Sequence, residues 1–382
     1  MSICPTAAIS MKEDLQGFLY PQINYDLCIE CGKCLEVCDL KKPVDKENNP
    51  IKAYATAHKD KKVLSSSSSG GAFTLLSDIV LNNNGVIFGC KLDDKIDVYH
   101  DKAGNKLQRD LMRGSKYVQS DMKNTYKDIA ALLKEGREVM FVGTPCQVAG
   151  LYSFLGKRPK LLTTVDFICH GVPSQKLLKD HVKFLENKYN KKAVNYLFRD
   201  KIYGWRHTET IVFSDNTRKS SYDTFRLKHL FLINIALRPA CYSCKYTNYH
   251  RVSDITIGDF WRGEIIANNY KNLGISVMLI NTEKGKLFNS SIKNTGLLKE
   301  IEISDTKQRA LLYPAKLHDE TNNFWKLYEK SGYETITEKY KAPKLKHYLR
   351  FSYVRFIVFF KLDELITYTK TKYRYLRKKR TK

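Results

Sequence analysis

Apolar positions along the chain follow two rhythms. VIFGC (86–90), EVMFVG (138–143) and LLTTVDFIC (161–169) are short apolar runs of the kind that form buried strands. AFTLLSDIVL (72–81), residues 121–135, TPCQVAGLYSFL (144–155) and VPSQKLLKDHVKFLENKY (172–189) have helical spacing. RVSDITIGDFW (251–261) is a further strand bordered by acids, residues 96–107 look like a hairpin around Lys102–Gly104, and RGSKYVQS (113–120) is a loop with a short strand. Strands alternating with helices predict an α/β fold with a mixed, partly parallel sheet. In such folds ligands sit in the loops that leave the C-terminal ends of strands. GTPCQV (143–148) and CHGVPS (169–174) are loops of that kind.

Composition narrows the class. The 382 residues suggest two or three structural units, and 43% hydrophobic content is enough for a sizeable core. No apolar run reaches the ~18–20 residues that cross a bilayer, and no basic-then-apolar leader opens the chain. Cytoplasmic residence is the default expectation, so ten cysteines read as metal or redox ligands before disulfides. The net charge is +25, and residues 341–382 carry 14 Lys and Arg against two acids, about half of that excess.

The first cysteine signal is DLCIECGKCLEVCDL, in which Cys28, Cys31, Cys34 and Cys38 have the spacing C-x2-C-x2-C-x3-C. Three thiolates at steps of three on a tight loop suit three irons of one cube, and the fourth in such a run serves a neighbouring cluster. Cys4, in CPTAAIS, has the Cys-Pro form that ends such a run. One complete 4Fe–4S cluster is therefore expected on Cys4, Cys28, Cys31 and Cys34. Cys38 belongs to a second, incomplete cluster, whose missing ligands would lie in an N-terminal extension ahead of Met1. Zinc is the alternative, but it favours two C-x2-C pairs with a longer spacer. Cys38 is followed by Asp39 where proline is usual.

Cys146, Cys169, Cys241 and Cys244 make a second set: two single cysteines on adjacent strand-to-helix loops and one C-x2-C pair. A 4Fe–4S cluster, a structural zinc and unrelated core thiols all remain open from spacing alone. Cys90 ends an apolar strand and reads as a small buried hydrophobe. His170 follows Cys169 and is a candidate proton carrier or a structural histidine. Asp166, Asp254 and Asp259 flank strands, as turn formers or as binders of sugar hydroxyls. The SSSSSGG stretch (65–71) opens a helix, either as an anion-binding loop or as a flexible linker ending in a cap.

Taken in order, CPTAAISMKEDLQGFLYP, the Cys28–Cys38 run, SSSSGGAFTLL, RGSKYVQS, VGTPCQVAGL, DFICHGVPS, FRDKIYGW, RPACYSCKY and RVSDITIGDFW resemble the coenzyme F420 hydrogenase/dehydrogenase beta-subunit family. The likeness runs from residue 1 to about 280. It implies an oxidoreductase with FAD beside an iron–sulfur cluster on Cys146, Cys169, Cys241 and Cys244. It also implies flavin phosphate contacts from Ser68, Ser69, Gly70, Gly71, Arg113, Ser115 and Lys116, with Gly143, Thr144 and Pro145 near the ring or its chain. The expected layout is a ferredoxin-like domain over 1–45, a linker over 46–62, the flavin and cluster core over 63–300, and a helical basic tail over 301–382.

Three functions compete. The first is an electron chain from ferredoxin or another donor through clusters and FAD to an organic substrate or a deazaflavin. The second is a non-catalytic electron-transfer subunit. The third is a zinc-stabilised scaffold in polysaccharide biosynthesis. Residues 343–382 mix basic and aromatic residues, which suits an anionic membrane surface at the inner face, or a partly packed helix with a solvated end. No nucleic-acid module accompanies the charge.

Overall fold

The computed structural model describes residues 2–38, 49–205, 208–262, 270 and 273–345; most of the basic tail, 346–382, lies outside the described residues. A hairpin of β1 (Ile9–Glu13) and β2 (Leu19–Ile23) comes first. The central sheet holds β3 (Lys52–His58), β4 (Val86–Leu92), β5 (Val98–Ala103), β6 (Val139–Gly143) and β7 (Leu162–Phe167). A small three-stranded sheet follows, of β8 (Ala193–Asp200), β9 (Thr208–Phe213) and β10 (Arg218–Lys219). The chain then returns to the central sheet as β11 (Ile255–Asp259), β12 (Ser276–Ile280) and β13 (Gly296–Ile301).

The central order is β13-β3-β12-β11-β7-β6-β4-β5. β11, β7, β6 and β4 run parallel, and antiparallel strands extend both sides. The fold is thus α/β with a mixed sheet. The helices are α1 (Lys33–Glu36), α2 (Lys61–Ser66), α3 (Ala72–Asn82), α4 (Lys106–Asp110), α5 (Thr125–Lys134), α6 (Pro145–Leu155), α7 (Gln175–Tyr189), α8 (Phe225–Leu232), α9 (Glu283–Lys286), α10 (Phe288–Thr295) and α11 (Thr321–Lys339).

Strand alternation decides which helix covers which face. Met140 and Val142 of β6 meet Leu75, Leu76 and Val80 of α3, while Val139 and Phe141 meet Ile129 of α5 and Val148 and Leu151 of α6. With both faces covered, β6 is buried at every position, which explains its unbroken apolar run. α7, α8 and α11 pack on β8 and β9 in a separate cluster that also takes in Phe18 of the first hairpin.

Three expectations differ from the structure. Residues 113–120 form a loop without the expected short strand. Residues 52–58 lie inside the stretch read as a linker, yet they form β3, an interior strand of the sheet next to its β13 edge. Ala53, Ala55 and Ala57 are buried there; their small side chains give little hydrophobic signal while allowing close packing. The β4–β5 turn falls at 93–97, not at Lys102–Gly104, because Asp93 Oδ1 accepts from the amides of Lys95 (3.0 Å) and Asp97 (2.9 Å). Gly104 instead leads into α4, capped by Asn105.

Candidate functional site

The C-terminal ends of β6, β7 and β11 open on one edge of the sheet. After β6, Thr144 and Gln147 form a capping box with Pro145 in the first turn of α6, which sets Cys146 at the helix head, open to solvent. Thr144 Oγ1 lies 3.0 Å from Cys146 Sγ. After β7, the chain runs through Cys169 and His170 to Gly171, whose φ of 127° favours glycine. A Cβ at Gly171 would stand 2.9 Å from Leu237 and 3.2 Å from Cys241 Cβ, so glycine lets the two cysteine-bearing loops touch. The short 3-10 turn Pro239–Cys241 is tied to the same loop, with Arg238 N donating to Val172 O at 2.8 Å.

The thiols of this second set act on one another. Burial raises Cys169 well above the thiol range, and charge on Cys241, Cys146 and Cys244 adds to the rise. Burial pushes Cys241 up to about 12, with Cys146 and Cys244 contributing. Cys146 is raised by the protein around it and by Cys244, and Cys244 is raised by burial. Arg238 opposes the rise at Cys146 and Cys241, as Arg251 does at Cys244. Four soft donors that repel one another as thiolates suit a cationic metal centre, which ligates the deprotonated form. Among the described residues, no three His, Cys, Asp or Glu side chains stand close enough to hold a single metal ion. Cys90 lies apart from this set, its thiol pushed up to about 11 by burial.

The N-terminal cysteines sit on a loop built for tight winding. Glu30 (φ 52°) and Gly32 (φ 70°) are left-handed on either side of Cys31, and α1 begins just after. Cys31 is exposed, and Cys4, Cys28, Cys34 and Cys38 are partly buried. Cys4 Sγ lies 3.6 Å from the Thr6 hydroxyl, which lowers its pKa.

The Ser/Gly loop is fastened to the sheet rather than free. Gly70 N donates to Ser276 Oγ (2.9 Å) and Gly70 O accepts from His58 N (2.8 Å). Ser69 Oγ donates to Ile275 O at 2.8 Å. Gly71, at φ 82°, caps α3. The second expected loop meets it, since Ser115 N donates to Ser68 Oγ (2.7 Å) and Arg113 Nη1 to Ser66 Oγ (2.9 Å). Lys116 Nζ turns inward to the carbonyls of Met112 (2.9 Å) and Arg113 (3.2 Å). Gly143–Pro145 faces this region through Gln147, which accepts from Thr144 N and donates to Ser120 Oγ, both at 2.9 Å.

Several residues of this edge carry no marked chemistry in the sequence. Lys201 Nζ donates to the carbonyls of Leu64 (2.6 Å), Ser69 (2.7 Å) and Leu273. Trp205 donates from Nε1 to Ser68 O (3.1 Å) and stacks on Trp261 at 5.1 Å. Arg199 donates to Asp259 Oδ2 at 2.5 Å and lies beneath both indoles. Lys228 Nζ sits 3.4 Å over the ring of Tyr117. Trp205, Arg199 and Trp261 fall in the FRDKIYGW and GDFW segments, whereas Lys228 looks like any helical lysine. His170 is kept below the ordinary histidine range by burial, and its Nε2 lies 2.6 Å from Asn234 Oδ1. The acids are committed: Asp166 to Arg251 (2.8 Å), Asp254 to Thr164 and Thr282, and Asp259 to Arg199.

Residues 136–306 match the family model for the C terminus of the coenzyme F420 hydrogenase/dehydrogenase beta subunit. No curated protein matches the chain. Among solved structures it is similar to a chain of the xenon-derivatised F420-reducing NiFe hydrogenase complex from Methanosarcina barkeri. Identity is 17%, coverage is 76% of this chain and 91% of that chain, and the TM-score is 0.48. No helix among the described residues is long and apolar enough to cross a membrane.

Proposed function

We propose that this chain, whose residues 136–306 belong to the coenzyme F420 hydrogenase/dehydrogenase beta-subunit family, is an iron–sulfur flavoprotein oxidoreductase. The observation that supports the reading is that Cys146, Cys169, Cys241 and Cys244 lie on three loops at one edge of the sheet, two of which are tied by the Arg238 N to Val172 O bond and meet at Gly171. These four would hold a core 4Fe–4S cluster. Cys4, Cys28, Cys31 and Cys34 would hold a second, and Cys38 would serve a third. Ser68–Gly71, Arg113–Lys116 and Gly143–Pro145 would hold FAD. Bound together, a flavin and clusters supply conversion between two-electron and one-electron exchange.

The chain's own residues provide the setting. Arg238 brings positive charge to the core thiols and so favours their thiolate forms. His170 has Nε2 committed to Asn234, so any proton it takes up goes to Nδ1. The donor would be ferredoxin or a similar carrier in the cytoplasm, with the basic tail near the inner membrane face. The acceptor would be an organic molecule or a deazaflavin. A relay role without its own substrate is the second reading, favoured by the contact of the cysteine-bearing N-terminal segment with Arg238.

Anaerobic reconstitution tests the proposal. About eight irons per chain, bound FAD and a band near 400 nm that bleaches with dithionite are expected. Zinc without iron or flavin would overturn it in favour of a scaffold. Substrate-dependent reoxidation of the flavin separates enzyme from relay.

A further inference from the structure

Three nitrogens in the region behind the Ser/Gly loop lack hydrogen-bond partners among the described residues. Arg199 donates once to Asp259, yet its Nε and Nη2 are buried with no hydrogen bond. Lys228 is 1% exposed, and its Nζ also has none. Buried donors are almost always paired, because an unpaired one forfeits its hydration without compensation. Tyr117 links the two cations: Lys228 lies over its ring face, and its hydroxyl interacts with Arg199.

Only one of the two cations has a carboxylate of its own. Asp259 answers Arg199. Glu209 is the acid near Lys228, and burial raises it to about 8, so it carries its proton at neutral pH. Burial also pushes the Lys228 ammonium down, so its charge is best sustained when an acceptor arrives at Nζ. The walls are flat and aromatic: Tyr117 and Phe231 beside Lys228, Trp205 and Trp261 beside Arg199. Trp205 is fixed by its bond to Ser68 O and by Gly274, where a Cβ would stand 2.8 Å from the indole. A small hydrated anion gains little from such walls, whereas a planar ring with acceptors along one edge uses both walls and donors.

We infer that Arg199 and Lys228 form a receptor for the acceptor edge of a planar pyrimidinedione ring, with Tyr117 and Trp205 as its flat walls. This rests on the redox reading above. The ring has two chemical sources, a resident flavin or an exchanging deazaflavin, which share that edge.

The test uses the full chain reconstituted anaerobically with iron and sulfide. Wild type, Lys228→Met, Lys228→Arg and Arg199→Lys are titrated with FAD and, once FAD-loaded, with a deazaflavin. Flavin midpoint potential and iron content are measured alongside. If the ring is the resident flavin, Lys228→Met weakens FAD binding at least tenfold and makes the flavin harder to reduce, at unchanged iron content. If it is the exchanging ring, FAD binding holds while deazaflavin binding falls at least tenfold. In either case Lys228→Arg retains binding and Arg199→Lys loses part of it, which separates the effect from misfolding. Unchanged affinities and potential in both Lys228→Met and Arg199→Lys overturn this inference alone. A wild type that binds iron but neither ring also overturns it while sparing the clusters. A wild type that binds no iron and neither ring overturns the redox reading as well.

Discussion

Arg238 Nη2 donates to the carbonyl of Leu19 at 3.1 Å, joining the N-terminal hairpin to the turn that carries Cys241. The guanidinium also covers the ring of Tyr20 at 4.3 Å, and its charge lowers the Cys146 and Cys241 thiols. One side chain thus touches the N-terminal segment and acts on the core thiols. Arg238→Met should release the hairpin. A hydrogen bond from a charged donor contributes about 1.5–3 kcal/mol, so amide exchange in β2 should speed up by roughly ten- to a hundredfold. Unchanged exchange would mean that Phe18, packed on Trp325 at 5.9 Å, holds the hairpin by itself.

The two cysteine sets should be separable by counting iron. In reconstituted protein, Cys241→Ala should remove about four irons per chain and leave those of the N-terminal loop. Cys90→Ala should remove none, since that thiol is held protonated by burial away from the core set. Equal iron in Cys241→Ala and wild type would remove Cys241 from the ligand set.

The parallel centre of the sheet is legible in the sequence because β4, β6 and β7 are buried on both faces and read as apolar runs. β3 is not, because alanine buries well while signalling weakly. The core cysteines are legible as a set, but the approach of the Cys169 and Cys241 loops depends on Gly171 and on the return of the chain through β8–β10, which spacing does not encode. Lys228 and Arg199 become notable only once tertiary packing strips them of water and partners. Asp166 and Asp254 look like candidate ligands in the sequence, and the fold uses them as buried acceptors.

Asp166 and Arg251 illustrate that last use. Both side chains are almost fully buried, with Oδ1 and Nη2 at 2.8 Å. Removing one partner leaves a buried charge, so Arg251→Leu should cost roughly 3–5 kcal/mol in denaturant unfolding. The double variant Asp166→Leu/Arg251→Leu should recover most of that loss. A double variant as unstable as the single one would show that the pair's other bonds, such as Arg251 Nε to Thr256 (3.0 Å), carry the cost.

Gly70 makes a steric prediction. A Cβ there would stand 2.3 Å from Thr56 O and 2.6 Å from Ser276 N, both backbone atoms that cannot swing away. Gly70→Ala should therefore push the Ser/Gly loop off β3 and β12, at a cost of about 1–3 kcal/mol. Thermal melting measures the cost, and loss of protection at His58 N, which bonds Gly70 O, reports the displacement. A stable variant with His58 still protected would show that the strands absorb the methyl group.

Between pH 4.5 and 6.5 the slope of stability follows from three buried groups with opposite signs. Burial holds His100 down at about 4 and His181 at about 3, against an ordinary 6.5. His181 is satisfied as a neutral ring by the hydroxyls of Tyr333 (2.6 Å) and Tyr196 (3.2 Å). Below pH 6.5 the unfolded chain takes up protons that these rings refuse, so stability falls as pH drops towards 4. The slope is at most about 1.4 kcal/mol per pH unit for each histidine. Glu209 works the other way. Its folded value of about 8, against an ordinary 4.5, means that the native state holds an extra proton through that window, so stability falls as pH rises towards 8. Where the histidine and glutamate effects overlap, two protons outweigh one, so stability rises with pH from about 4.5 to 6.5. Above that, burial holds Lys201 at about 7 and Lys116 at about 8, against an ordinary 10.5, and their gain in stability with rising pH opposes the Glu209 loss. Thermal melting from pH 4.5 to 6.5 should show that rise, shallower in His181→Gln and steeper in Glu209→Gln. The same slope in Glu209→Gln as in wild type would mean that Glu209 is ionised in the folded protein, its charge balanced by a Lys228 ammonium that stays protonated.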